Sequence, residues 1–344
     1  MADYKDLDRK VIELSKQVIK MCTAAGSGHP SSGLSLVHLT TALMYRIMRY
    51  DPKNPWSLGA DRLVLSEGHA VPVVYAAYCD LGGVVGQPDR PSELSFDDAL
   101  TLREADSVLD GHPNPAIGFP FFDAATGSLG QGLSVAAGVA AAAKVDGHDR
   151  KAYCMLGDGE SREGQVWEAL DFIMDHDLTN VVSIFNANGQ GQSDYVSPQQ
   201  TAEMLEGKLK AFGFEVRVID GHNWDEVFAA LTGEASKPVA IVAKTVKGWG
   251  VEELSTKNYH GKPLSDEQIA QAMADLDAKA AELGVAEQAD APAVELNAPT
   301  PIAEPSSEPL VAGSFSEAME AAGCGSALEK GKFATRRAYG VALA

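Results

Sequence analysis

Two short segments of this chain combine oxygen ligands with glycine at a spacing suited to metal and phosphate chemistry. Gly157-Asp158-Gly159-Glu160 is followed thirty residues later by Asn188, within Asn186-Ala187-Asn188-Gly189-Gln190. The Asp158 carboxylate, the Asn188 amide oxygen and a backbone carbonyl at Gln190 form an oxygen-only donor set. Such a set suits a hard cation, Mg²⁺ or Ca²⁺, that keeps a water and takes its other ligands from a diphosphate. Gly-Asp-Gly alone is also a common tight turn, because glycine tolerates positive φ and aspartate bonds its own backbone. The asparagine one crossover away separates the two readings.

Four further segments join glycine to histidine. They are Gly26-Ser27-Gly28-His29-Pro30-Ser31-Ser32, Leu65-Ser66-Glu67-Gly68-His69-Ala70, Leu109-Asp110-Gly111-His112-Pro113-Asn114 and Asn258-Tyr259-His260-Gly261-Lys262-Pro263-Leu264. Glycine lets backbone approach a ligand, and histidine supplies a donor or acceptor near neutral pH. Together they predict a funnel toward a hydroxylated, phosphorylated substrate. His38, His148, His176 and His222 lack this context and read as structural.

Positioning these residues requires strands that end together. Apolar runs at 151–156 and 181–185 read as buried strands, and 164–176 carries Val166, Trp167, Leu170, Ile173 and Met174 at helical spacing. A strand–helix–strand crossover makes the two strands parallel, so Asp158 and Asn188 fall at neighbouring carboxyl ends, where open α/β sheets bind ligands. Other helices are expected at 7–25, 30–48 (capped by its first serines), 70–81, 133–144, 202–212 and 223–231. Strands are expected at 62–64, 215–219 and 238–246. Alternation of this kind predicts a doubly wound parallel α/β sheet over residues 1–264.

The chain has 344 residues, 45% of them hydrophobic, enough for a substantial core. Its net charge of −20 argues against nucleic acid and anionic membrane as partners. No apolar run reaches the ~20 residues of a membrane span, and the charged first residues are not a secretory signal. Four scattered cysteines read as free thiols in a cytoplasmic setting, not as a zinc site or disulfide framework. Residues 265–320 hold twelve acidic residues against the single Lys279. This region reads as an amphipathic helix at 266–283 followed by an acidic, Ala/Pro-rich linker, a solvated tether, reaching to about residue 330. Residues 331–344, with Phe-Ala-Thr-Arg-Arg-Ala-Tyr-Gly, look like the first helix of another folded unit.

The segments Gly-His-Pro, Leu-Ser-Glu-Gly-His-Ala, Asp-Gly-His-Pro, Ala-Thr-Gly-Ser-Leu-Gly-Gln-Gly, Gly-Asp-Gly-Glu-Ser-Arg-Glu-Gly and His-Gly-Lys-Pro-Leu occur in the order found in transketolases. Residues 5–264 thus resemble the pyrophosphate-binding domain of that family, and the final segment resembles the start of its pyrimidine-binding domain. The resemblance implies a sheet of the thiamine-diphosphate-binding type. It also implies thiamine diphosphate as cofactor, with Mg²⁺ (Ca²⁺ or Mn²⁺ as substitutes) on Asp158, Asn188 and the Gln190 carbonyl. Ser32, His69, Gly127, Ser128, Leu129, Gly159 and Asn188 are implied as cofactor-binding. Lys247, Gln192 and Lys257-Asn258-Tyr259-His260-Gly261 resemble the animal-type branch, with Lys247 toward the diphosphate and His260 toward cofactor and substrate. His29, His69, His112 and His260 are implied as the proton-handling and hydroxyl-recognising residues, and Glu163 as a dimer-interface glutamate. Lys262 is a weaker candidate.

The implied reaction moves a two-carbon ketol unit from a ketose phosphate to an aldose phosphate. In that family the glutamate that activates the cofactor belongs to the pyrimidine-binding domain. The expectation is therefore a fragment or one subunit of a split enzyme, working as a homodimer or as a heterotetramer with a pyrimidine-domain chain, with little activity by itself. The alternatives are a subunit of a 2-oxo acid dehydrogenase α or deoxyxylulose-phosphate synthase type, a non-catalytic partner-binding subunit, and a split enzyme for an unusual ketose.

Overall fold

A computed structural model describes residues 3–285, 294–302, 314–329 and 339. Its centre is a five-stranded parallel sheet formed by β1 (Arg62–Leu65), β4 (Ala152–Gly157), β5 (Val181–Ala187), β7 (Val239–Lys244) and β6 (Glu215–Asp220), in that spatial order. A separate hairpin pairs β2 (Val84–Gln87) with β3 (Arg90–Glu93).

The strands are apolar on both faces because helices cover both. Tyr153, Met155, Val182, Ile184 and Ile241 join one core, while Cys154, Leu156, Val181, Phe185 and Val242 join the other. Successive residues alternate between the two cores, as the pleat requires. The first core packs against α1 (Lys5–Ala24), α2 (Pro30–Ser35), α3 (Val37–Ala42), α4 (Pro72–Asp80) and α8 (Trp224–Thr232). The second packs against α5 (Gln131–Val145), α6 (Gly164–Asp175) and α7 (Ala202–Phe212). This is the expected doubly wound arrangement, and each central element matches its sequence reading to within a few residues.

Three expectations need correction, and two elements were not anticipated. The helix expected at 30–48 is three pieces, α2, α3 and a wider turn at Leu43–Ile47. Its serines do not cap it: Pro30 occupies the first turn, and the buried Ser35 hydroxyl donates to the Ser32 carbonyl at 2.8 Å. The hairpin and α9 (Glu252–Thr256) carry no alternation or helical stripe long enough to read. Finally, the body does not end at residue 264. The acidic helix α10 (Asp266–Glu282) packs on α1 through the buried Ala272 and Leu276, with an ion pair from Lys16 to Asp277.

Residues 294–302, expected to lie in a solvated tether, are instead held. The Tyr50 amide donates to the Asn297 carbonyl at 2.9 Å, Asn297 Nδ2 donates to the Arg46 carbonyl at 2.7 Å, and Val294 and Leu296 pack on the core. The first compact unit accordingly spans Met1–Pro301. The second, Ile302–Ala344, contains α11 (Phe315–Ala321), opened by a reciprocal Ser314–Glu317 cap, and α12 (Ser326–Glu329). These two helices stand where the sequence read as tether; residues 286–293, 303–313 and 330 of it, and the expected helix at 331–344 apart from Tyr339, lie outside the described residues. No described helix is long and apolar enough to cross a membrane.

Candidate active site

The carboxyl ends of β1, β4, β5 and β7 open into one cleft of about 570 Å³. In register, Gly157 of β4 faces Asn186 of β5, so the loops carrying Asp158 and Asn188 leave the sheet side by side. Asp158 is buried and joins them: its Oδ2 accepts from the Gly189 amide and its Oδ1 from the Gly159 amide, each at 2.6 Å. Asn188 Oδ1 accepts from the Gln190 amide at 3.0 Å. Gln200 braces the same turn, donating to the carbonyls of Asp158 and Gly159 at 2.8 Å. Burial pushes Asp158 up to about 6 despite the two amide donors. A buried carboxylate in that condition gains from a cation beside it. Asp158, Asn188 and the Gln190 carbonyl offer oxygen alone, the chemistry a hard divalent ion prefers.

Opposite this corner lies Lys247, three residues beyond β7 and only 3% exposed. Its Nζ donates to the carbonyls of Gln190 and Gly191 at 3.2 and 3.3 Å and lies 3.1 Å from His260 Nδ1. Among the described residues no carboxylate forms an ion pair with it. Burial lowers its pKa, while Asp158 and Glu67 pull the other way. An ammonium buried without a counter-anion fits the anionic group of a ligand.

Three imidazoles close the cleft as a triangle. Ring centroids lie 4.9 Å apart for His29–His69, 5.0 Å for His29–His260 and 5.0 Å for His69–His260. They come from the start of α2, the turn after β1 and the loop after α9. Desolvation holds all three neutral: His29 and His260 are each pushed down to about 4, and His69 falls well below its ordinary value. Neighbouring rings and Lys247 act in the same direction. His29 Nδ1 is buried without a hydrogen-bond partner among the described residues. His112 also lines the cleft, lowered by burial and by Arg103.

Glycine is required where these loops touch. A Cβ on Gly127, at φ +129°, would sit 2.8 Å from His112 Cδ2, and one on Gly68 would sit 2.8 Å from Thr126 Oγ1. Only bare backbone lets the 126–129 turn approach both histidine loops.

Of the residues singled out from sequence, His29, Ser32, His69, His112, Gly127, Leu129, Asp158, Gly159, Asn188, Gln190, Gln192, Lys247 and His260 all line this cleft. Ser128 is exposed and does not, and Glu163 and Lys262 are exposed outside it. Sequence reasoning passed over Glu67, Glu160 and Gln200, which also line it. The first two lay inside quoted motifs, and their acidity among phosphate ligands gave no reason to select them. Glu160 fastens the loops: it accepts from the amides of Gly130 and Gly157 at 2.7 and 2.9 Å and from the Ser66 hydroxyl.

Residues 9–293 match the family described as "Transketolase, thiamine diphosphate binding domain". The chain is 40% identical to mouse transketolase over 335 residues, covering 95% of this chain and 48% of that protein. It therefore spans about half the length of the mammalian relatives. It is also 35% identical over 282 residues to a 6-deoxy-6-sulfo-D-fructose transketolase subunit of Clostridium, covering 80% of this chain and 98% of that protein. Among solved structures, transketolase from Campylobacter jejuni superposes with a TM-score of 0.71 at 32% identity, over 80% of this chain and 43% of that one.

Proposed function

Since the chain belongs to the transketolase family, matching its thiamine-diphosphate-binding domain, we propose that this cleft holds Mg²⁺–thiamine diphosphate for ketol transfer between sugar phosphates. The observation that carries this reading is the meeting, in one cleft, of an oxygen-only donor corner with a buried ammonium that has no ion-pair partner among the described residues. Asp158, Asn188 and the Gln190 carbonyl would hold the ion, with Ca²⁺ or Mn²⁺ as substitutes. Lys247, His69, Ser32, Gly159 and the backbone from Gly127 to Leu129 would hold the diphosphate and its ring. The bound cofactor supplies an electron sink for breaking and making the bond between the two carbons.

The chain's own residues do the remainder. His29, His112 and His260, kept neutral by burial, are placed to hydrogen-bond substrate carbonyl and hydroxyl oxygens and to accept a proton from a hydroxyl. The narrow cleft fixes the donor's orientation and displaces water. The substrates proposed are a ketose phosphate donor and an aldose phosphate acceptor.

The share of each relative that is matched supports a division of labour. The mammalian relatives are about twice as long as the match, and the Clostridium subunit is matched almost end to end. The proposal is therefore that a pyrimidine-binding polypeptide or segment supplies the activating glutamate and the phosphate grip, in a homodimer or heterotetramer. The Clostridium match favours, as a second reading, a split enzyme whose ketose carries a sulfonate.

The test mixes the purified chain with Mg²⁺ and thiamine diphosphate, then assays ketol transfer alone and with the C-terminal half of a relative. Binding alone, with turnover only after mixing, is the expected result. Failure to bind the cofactor would end the reading of the site, and substantial turnover by the chain alone would end the division of labour. Sulfonated and phosphorylated ketoses compared as donors separate the two substrate readings.

A further inference from the structure

The oxygen corner is assembled from two loops, and one side chain joins them without offering a ligand atom. Gln200 ends the short turn Pro198–Gln200, is 4% exposed and lines the cleft. Its Nε2 donates to the carbonyls of Asp158 and Gly159, both at 2.8 Å, across 42 and 41 residues of sequence. Its Oε1 accepts from the Ser197 amide at 3.3 Å. Both N–H groups and the oxygen are engaged, and the reverse orientation would set that oxygen against two carbonyls.

The turn that carries Gln200 has a firm footing. Thr201 caps α7, and Leu205 and Leu209 bury that helix in the second core. The loop from Asn188 to Gln200 folds back on itself: the Gly191 amide donates to the Asp194 carbonyl at 2.7 Å, and the Val196 amide to the Gly189 carbonyl at 3.0 Å. Asn188 and Gln190 therefore sit on a closed loop with Gln200 at its foot. On the opposite side, the Asp158 carbonyl also accepts from the Ser161 hydroxyl at 2.6 Å, which steadies the turn that Gln200 grips. A second bridge between the loops runs from the Gly189 amide to Asp158 Oδ2, an atom that an ion would also claim. Of these two bridges, the one through Gln200 leaves every offered ligand atom free.

We propose that Gln200 is a positioning residue for the ion: its amide fixes the spacing between the Asp158 turn and the Asn188–Gln190 loop, and so sets the preference of the site for Mg²⁺ over Ca²⁺. This rests on the reading of the corner as an ion site. Mg²⁺ demands a near-ideal octahedron at about 2.1 Å, whereas Ca²⁺ accepts irregular shells at about 2.3–2.6 Å. Loops held at one spacing before the ion arrives suit the stricter ion, and loops free to drift penalise it more. Groups that orient ligands without touching the metal are commonly worth about 10–100-fold in affinity.

Two substitutions test it. Gln200→Met keeps length and volume and removes both donors, while Gln200→Glu keeps the shape, removes at least one donor and adds an acid near the ion. Dissociation constants for thiamine diphosphate are measured by calorimetry with Mg²⁺ and with Ca²⁺, well below the melting temperature of each variant. Gln200→Met should weaken Mg²⁺-dependent binding about tenfold and Ca²⁺-dependent binding about threefold or less, which narrows the ratio between the ions. A loss of stability alone would weaken both equally. Gln200→Glu should also bind Mg²⁺ more weakly than wild type, although added negative charge by itself would attract the ion. Unchanged Mg²⁺ binding or equal losses for the two ions in Gln200→Met, or tighter Mg²⁺ binding by Gln200→Glu, would each overturn the proposal. If wild-type binding of thiamine diphosphate needs no divalent ion, the reading of the corner falls instead, and the role of Gln200 with it.

Discussion

Two groups of packed histidines in this chain have different surroundings. The half-buried His29, His69 and His260 meet in T-shaped and tilted contacts around a cleft, and His29 Nδ1 has no hydrogen-bond partner among the described residues. His38 and His222 also meet, with Nδ1 atoms 3.0 Å apart, but they are walled in by Trp224 and Trp249. The Val246 amide donates to His222 Nε2 at 2.9 Å, so that nitrogen carries no proton. His222 therefore donates from Nδ1 to His38 Nδ1, and the second pair has one consistent tautomer. Burial depresses both groups alike: His38 falls well below its ordinary value and His222 to about 4. Burial and lowered basicity therefore do not tell the two groups apart, whereas a place on the cleft wall does.

The comparison predicts a double dissociation, in which cleft residues cost function and the walled pair costs stability. The largest effect is expected at the ion corner. Asp158→Asn should weaken Mg²⁺-dependent binding of thiamine diphosphate about 100-fold, on the scale of losing a charged ligand, with a smaller loss of stability because its amide nitrogen faces one of the two backbone N–H groups that the carboxylate accepts. A titration with and without EDTA checks it, and unchanged affinity would remove Asp158 from the ion site. Next, His29→Ala in the presence of a complementing C-terminal half should lower kcat by about 100-fold or more, the usual contribution of a positioned acid or base. If its melting temperature falls as far as that of a His222 variant, the contrast between the two groups fails.

His222→Ala should destabilise the fold by about 2–3 kcal/mol, because it strands the Val246 amide and His38 and leaves a cavity between tryptophans. Urea unfolding measures this, and a loss under about 0.5 kcal/mol would show the pair to be idle. Cofactor affinity should change less, although Val246 adjoins Lys247.

The smallest effect is the pH slope. His222 is pushed down to about 4 from an ordinary 6.5, so in acid the unfolded chain binds a proton that the fold refuses. Stability from this group is therefore complete above pH 6.5 and is lost as pH falls from there toward 4. At pH 5 the loss from this group is about 2 kcal/mol. His222→Gln should flatten the slope of unfolding free energy over that interval, and an unaltered slope would place its origin elsewhere.

Much of this was legible in the linear chain because it rests on local periodicity. Strands β4 and β5 and the helix between them are short-range objects, and a right-handed crossover leaves one arrangement for the loops at their ends. Asp158 and Asn188 follow directly. The bounds of α7 were equally readable, since Thr201 caps one end and Gly213 adopts φ +101° at the other. The tether reading failed at 294–302 for the opposite reason. Composition reported an Ala/Pro-rich acidic stretch, but Asn297 bonds to residues about 250 positions away, and no window of sequence contains both partners. Glu67 was passed over because its own motif gives an acid no role among phosphate ligands. Its surroundings, Asp158 and Glu160, Asn186 and Lys247, come from three other segments.

The order and chemical type of the glycine, histidine and acidic motifs, the parallel sheet and the neighbouring positions of the Asp158 and Asn188 loops were settled by the chain itself, through contacts between residues near one another in sequence. The imidazole triangle, the buried Lys247 ammonium with no ion pair among the described residues, the His38–His222 pair and the exposure of Ser128 were decided only in three dimensions. The reason is dielectric. Whether a titratable group is charged, paired or orphaned depends on how much water the fold removes from it, and that is a property of distant segments closing over a site.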